Sequence, residues 1–138
     1  MYLLDTNIIS EFVKKKPNEN LIGKVEAVPS TSLYTASICV MELRYGALRM
    51  PGRADLWGNI EQRIISKLTI LDFGYREAIK AAEILRDLHA AGEPIGIEDL
   101  MISAIALTNT LAVVSANTKH FSRIANLQLA NWLIEISG

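Results

Sequence analysis

Tyr2-Leu3-Leu4-Asp5-Thr6-Asn7 is the stretch that decides the fold. A short apolar run begins directly after Met1 and stops at a carboxylate. The amphipathic segment Ile8-Ile9-Ser10-Glu11-Phe12-Val13 follows. This order reads as strand, turn, helix. In an open α/β sheet the carboxyl ends of the strands form the ligand crevice. Asp5 stands at such an end, which makes it a candidate acid for a metal or phosphoryl site. The same carboxylate is also suited to capping the helix that follows.

Outward from this stretch, strands and helices alternate along the chain. The first helix is expected from Thr6 and is stopped by Lys14-Lys15-Lys16 and Pro17. A second is expected over Asn18–Val28, then a loop over Pro29–Ser32 and a strand at Leu33-Tyr34-Thr35. Ser37 is the expected N-cap of a helix from Ile38 to about Leu48, broken by Pro51-Gly52. A helix over Ala54–Ser66 and a third strand at Leu68-Thr69-Ile70-Leu71 come next. Tyr75 to Ala90 carries Tyr75, Ile79, Ala82, Leu85 and Leu88 at helical spacing, and Gly92 suits the left-handed position that ends a helix. The segment from Glu98 to Thr108 is apolar on nearly every side and is expected to be buried. Ala112-Val113-Val114-Ser115 reads as a fourth strand and Leu127-Gln128-Leu129 as a fifth. The predicted class is α/β, a parallel sheet of about five strands flanked by helices.

A length of 138 residues suits one domain, expected to span residues 1–138. Half of the residues are hydrophobic and 21% are charged, which fits the globular class. Cys39 is the single cysteine and has no internal disulfide partner, which suits a reducing compartment. The longest apolar stretch, Leu100 to Leu107, falls far short of the ~20 residues of a membrane span. No signal peptide is visible before the first strand, and none is expected. The expectation is a cytoplasmic protein with no membrane contact. A net charge of -1 argues against a general polyanion-binding protein. It leaves room for a nucleic-acid enzyme in which a divalent metal neutralises the scissile phosphate.

Three further positions draw attention. Glu42 shares a helix face with Ile38 and Tyr45, and a carboxylate in an apolar stripe needs a partner. Arg44 or Arg49 meets that need, and so does a metal. Asp99 lies in the first turn of the most hydrophobic helix, where the helix dipole favours an acid and Glu98 shares that role. Asp99 is the better placed of the two to reach the sheet edge. Asn117 follows the fourth strand after Ser115-Ala116, at the edge where Asp5 lies. Three acids and an amide from separate segments are thus expected to meet at one crevice. Oxygen-only ligands suit a hard cation such as Mg²⁺ or Mn²⁺. The chain has no cysteine cluster and no paired histidines, and His89 and His120 read as isolated surface side chains.

Five motifs carry a family resemblance that covers essentially the whole chain. They are Leu3-Leu4-Asp5-Thr6-Asn7, Met41-Glu42-Leu43-Arg44-Tyr45-Gly46, the segment from Ile95 to Ala104, Ser115-Ala116-Asn117, and Leu129-Ala130-Asn131-Trp132. In order and spacing the chain resembles the PIN-domain ribonucleases, most closely the VapC/FitB type of toxin from bacterial toxin–antitoxin modules. The resemblance implies a PIN fold, metal ligation by Asp5, Glu42 and Asp99, and supporting hydroxyls from Thr6 and Ser115. It also implies a homodimer and a cognate antitoxin that plugs the site. Asn117 completes the expected catalytic set, although many members carry an acid there; the amide offers an oxygen without a charge.

The activity implied is endonucleolytic hydrolysis of RNA, with one or two Mg²⁺ or Mn²⁺ ions activating the attacking water for in-line displacement. Lys14, Lys15, Arg44, Arg49 and Lys119 are candidate phosphate contacts, or else solvated surface charges. A phosphohydrolase with an aspartyl nucleophile needs a second Asp two positions on, where this chain has Asn7. A receiver domain needs acids before Asp5 that are missing. The remaining alternative is a degenerate PIN module that binds RNA or a partner without cutting, with Asn117 as its support.

Overall fold

The computed structural model describes residues 1–135. Five short strands, β1 (Tyr2–Leu4), β2 (Leu33–Ala36), β3 (Thr69–Leu71), β4 (Ala112–Val114) and β5 (Leu129–Ala130), form one sheet in the order β3-β2-β1-β4-β5. Every pairing is parallel, with Leu3 opposite Tyr34 on one side and Val113 on the other. A parallel sheet is covered on both faces, so its central strands read as apolar runs. The two-residue period sends Leu3 and Val113 into one core and Leu4 and Val114 into a second.

The helices are α1 (Thr6–Phe12), α2 (Glu19–Ala27), α3 (Ser37–Leu48), α4 (Leu56–Arg63), α5 (Tyr75–Ala90), α6 (Ile97–Thr108) and α7 (Thr118–Phe121). The core around Leu3 takes Ala81, Ile84 and Leu88 from α5, Ile102 and Ile105 from α6, and Phe121 from α7. The core around Leu4 takes Ile8, Ile9 and Phe12 from α1, Leu21 and Val25 from α2, and Ile60 from α4. Each fully buried Leu or Ile side chain stabilises by about 1.5–3 kcal/mol. Trp132 closes the second core edge-on against Tyr2, ring centroids 4.8 Å apart. The side chains of Asn18 and Asn20 donate to the carbonyls of Leu133 and Trp132, each at 2.9 Å, and hold the segment after β5 against α2.

Three local expectations are corrected. Ser37 is the first residue of α3 and makes no cap; Ala36 precedes the helix because β2 pairs through Ala36 with Leu71. The helix expected over Ala54–Ser66 is α4 followed by a separate 3₁₀ turn at Ile65–Lys67. In α5 the predicted stripe is rotated. Ala81, Ile84 and Leu88 face the core, while Tyr75, Ile79 and Leu85 are 83%, 51% and 47% exposed. No helix among the described residues is long and apolar enough to cross a membrane.

β1 is flanked by β2 on one side and β4 on the other. The crossovers that leave β1 and β4 therefore diverge, which opens a crevice at their carboxyl ends. Asp5 follows β1 and Ser115 follows β4 at that crevice.

Candidate active site

The backbone of Asp5 continues the sheet, its N–H donating to the Val114 carbonyl at 3.0 Å. Its side chain is 5% exposed and has two distinct partners. Oδ1 accepts the Thr6 N–H at 2.8 Å, capping α1. Oδ2 accepts the Ser115 hydroxyl at 2.7 Å. The cap reading is fulfilled by one oxygen and leaves the other for the crevice.

Asn7 ties the two strand ends together. Its amide nitrogen lies 3.4 Å from Asp5 Oδ2 and 3.5 Å from Ser115 Oγ, and its amide oxygen accepts the Ala116 N–H at 3.1 Å. Ser115 Oγ also accepts the Asn117 N–H at 3.0 Å. Asn117 itself is exposed at the start of α7, with no capping bond from its side chain. It therefore borders the crevice through its backbone.

Glu42 projects from α3 toward the start of α1, where the Thr6 hydroxyl donates to Oε1 at 2.8 Å. Its partner is this hydroxyl and not an arginine. Arg44 lies over the Trp57 ring, 5.6 Å from its centroid, and Arg49 over Tyr45 at 5.5 Å. Asp99 sits in the first turn of α6, and Ser103 Oγ donates to its carbonyl at 2.7 Å. Its carboxylate faces His120, Nδ1 to Oδ2 3.5 Å.

The acids affect one another. Burial pushes the Asp5 carboxyl above its ordinary range; the bonds from Ser115 and Thr6 pull it back, and the Asp99 charge raises it further. Partial burial raises Glu42 too, the Thr6 hydroxyl lowers it, and the charges of Asp5, Glu98 and Asp99 raise it. Cys39, buried beside Asp5, is pushed up to about 11, chiefly by desolvation, and stays a neutral thiol.

This donor set fits a hard divalent cation. The oxygens come from carboxylates that repel one another without a counter-charge, and a cation removes that repulsion. Among the described residues no group of three or more His, Cys, Asp or Glu side chains is placed to hold a metal ion by itself. Mg²⁺ keeps several waters and binds through one or two carboxylates, so a closed cage is not what it requires.

Two hollows flank the acids. One, of about 470 Å³, adjoins Thr6 and Glu42 and is lined by Lys14, Lys15, Met50 and Arg53. The other, of about 600 Å³, adjoins Asp99 and is lined by Gly96, Lys119, His120 and Arg123. Lys14, Lys15 and Lys119 thus border the acids, although Lys14 is paired with Glu11 at 2.6 Å. Arg44 lies in a separate depression with Trp57, and Arg49 on the Tyr45 ring.

Sequence reasoning passed over Asn7, His120 and Arg123. Asn7 was visible as the third member of Asp5-Thr6-Asn7. His120 lies on α7 and Arg123 just beyond its end, and their spacing gives no signal of what lies opposite.

The PIN domain family matches residues 2–127. Ribonuclease VapC2 of Rickettsia felis is 30% identical over 132 residues, covering 96% of this chain and 98% of the relative. Toxin FitB of Neisseria gonorrhoeae is 33% identical over 126 residues, covering 88% and 91%. The crystal structure of FitAcB from Neisseria gonorrhoeae superposes with a TM-score of 0.87 at 30% identity, covering 96% of this chain and 98% of that one. The chain belongs to the PIN-domain family, among its VapC/FitB-type members.

Proposed function

We propose that the chain is a divalent-metal-dependent endoribonuclease, the toxin of a toxin–antitoxin module. The observation that carries this reading is the placement of Asp5, Glu42 and Asp99 from three separate segments about the sheet's crevice, Glu42 joined to the start of α1 through Thr6 and Asp99 lining the adjoining hollow. The names ribonuclease and toxin borne by the relatives point the same way.

In this reading Asp5, Glu42 and Asp99 hold Mg²⁺ or Mn²⁺, with Asn117 at the rim. When bound, the metal polarises the phosphate, acidifies water and stabilises the leaving oxygen. The Ser115 and Thr6 hydroxyls each donate to one acid and fix its orientation, and Asn7 keeps the ends of β1 and β4 in register. A fixed constellation is what positions a phosphodiester for in-line displacement. Lys14, Lys15 and Lys119 draw the backbone of the RNA toward the acids.

Two partners accompany the activity. A second copy of the chain is supported by Met41, Tyr45 and Leu48, which line one face of α3 at 57%, 61% and 59% exposure. An antitoxin that sets an arginine among the carboxylates relieves their repulsion by bidentate pairing. The buried thiol of Cys39 and an RNA substrate suit the cytoplasm.

A non-cutting binding module is the second reading, favoured by the uncharged, exposed Asn117. The test is incubation of the purified protein with RNA and analysis of the fragment ends. Fragments with 5′-phosphate and 3′-hydroxyl ends support the nuclease; retention of intact RNA supports the binding module.

A further inference from the structure

The hollow beyond Asp99 has features the acid cluster does not explain. It is bounded by the Pro94–Gly96 segment on one side and by Lys119, His120 and Arg123 on the other. It shares Asp99 with the acid cluster, so its occupant lies alongside the reacting centre.

The hollow carries two cations, Lys119 and Arg123, against one carboxylate, Asp99. Lys14, Arg53, Lys80 and Arg86 are each paired with a carboxylate. Lys119 and Arg123, like most cations among the described residues, have no such partner; what sets them apart is that both line one hollow with Asp99.

Arg123 is also held in place. Its Nε donates to the His120 carbonyl at 3.2 Å, and its Nη1 donates to the Pro94 carbonyl. These bonds join α7 to the loop before α6 and fix the guanidinium plane. A guanidinium already fixed loses little freedom when it meets an anion. His120 steadies the same wall from the other side, its ring 3.5 Å from Asp99.

We propose that this hollow is a subsite for an RNA backbone phosphate adjoining the scissile one, contacted by Lys119 and Arg123. The assignment rests on the nuclease reading, because only a strand whose scissile phosphate sits at the acids carries its neighbour into the hollow. Phosphate is favoured over a partner's carboxylate because Asp99, one of the three acids, lines the hollow. Contacts of this kind position the strand without reading its sequence.

The test uses the Asp5→Asn protein, expected to leave RNA uncut, and a short single-stranded RNA spanning a cut site mapped with the unaltered protein. The Kd is measured across NaCl concentrations. Lys119→Gln and Arg123→Gln should each weaken binding and each flatten the slope of log Kd against log salt by about 0.7. Arg123→Lys should retain most of the slope. A Cβ at Gly96 would meet nothing within 4 Å, so Gly96→Glu starts from open space, adds a negative charge to the hollow and should weaken binding more than the isosteric Gly96→Gln. This pair keeps the test decisive if Arg123→Gln does not fold. A single methylphosphonate beside the cut should weaken binding to the parent and leave the Lys119→Gln/Arg123→Gln protein unaffected.

Equal salt slopes, with methylphosphonate losses identical in parent and variant at every position, overturn the subsite. So does a result in which the variants lose affinity only for a protein partner. An unaltered protein that cuts no RNA overturns the nuclease reading itself. Cutting with unchanged slopes overturns the subsite alone.

Discussion

Asp5 does two jobs with one carboxyl group. One oxygen caps α1 and the other accepts the Ser115 hydroxyl in the crevice. Burial raises its pKa, so the ionised form that metal binding requires is disfavoured in the fold. The sign follows. A carboxyl with a raised folded pKa destabilises the folded state at neutral pH, and that cost disappears once pH falls below its ordinary value of 3.8. Asp5→Asn should therefore abolish cleavage and yet raise the Tm at pH 7.5, with the gain shrinking in melts taken toward pH 4. A Tm that falls equally at both pH values contradicts this account. Asn7→Ala removes the amide that joins Asp5, Ser115 and Ala116. Loosening of this kind should lower the cleavage rate by roughly 10–100-fold, while RNA affinity changes little. The sequence showed Asp5, Glu42 and Asp99 because each acid interrupts an apolar pattern. It did not show the Thr6–Glu42 bond or the His120–Asp99 pair, because each joins residues distant in the chain or on facing elements.

At the scale of elements, α6 was fully legible. Its apolar residues surround the axis, and Leu100 and Ile102 through Ala106 are buried. The extent of α5 was legible too, but not its rotation, since its sequence offers two apolar stripes and only packing against α6 selects one. The stripe with Tyr75 and Ile79 has more apolar bulk, and the stripe with Ala81 and Ile84 faces the core. Small residues that allow close helix approach leave little trace in periodicity. Gly92 ends α5 with φ of +71°, as its position suggested, and its N–H donates to the His89 carbonyl at 3.0 Å. Gly92→Ala forces a side chain into the left-handed region and should cost about 1–2 kcal/mol. Chemical denaturation read by circular dichroism measures the loss, and an unchanged midpoint contradicts the assignment.

Over the whole molecule, the sheet order places β1 beside β4, and this adjacency creates the crevice. The order itself was not legible, because alternating elements specify a parallel sheet but not which strands are neighbours. The exposed face of α3 lies on the helix that carries Glu42, so a second copy docked there would brace one wall of the site. Tyr45→Glu places a charge in the middle of that face. It should turn a dimer into a monomer in sedimentation velocity at micromolar concentration and leave the melting curve of the monomer close to that of the parent. A parent protein that sediments as a monomer contradicts the proposed face.

The central claim is that Asp5, Glu42 and Asp99 act together through a divalent cation to cut RNA. Its most direct test is the cleavage rate of one RNA substrate, measured with Mg²⁺ or Mn²⁺, after EDTA, and after metal is restored. The unaltered protein is compared with Asp5→Asn, Glu42→Gln and Asp99→Asn, each shown to be folded by circular dichroism. The account predicts cleavage that stops with EDTA, returns with metal, and is lost in all three variants. Cleavage that persists in EDTA, or a folded variant of any of the three acids that cuts at the parent's rate, contradicts it.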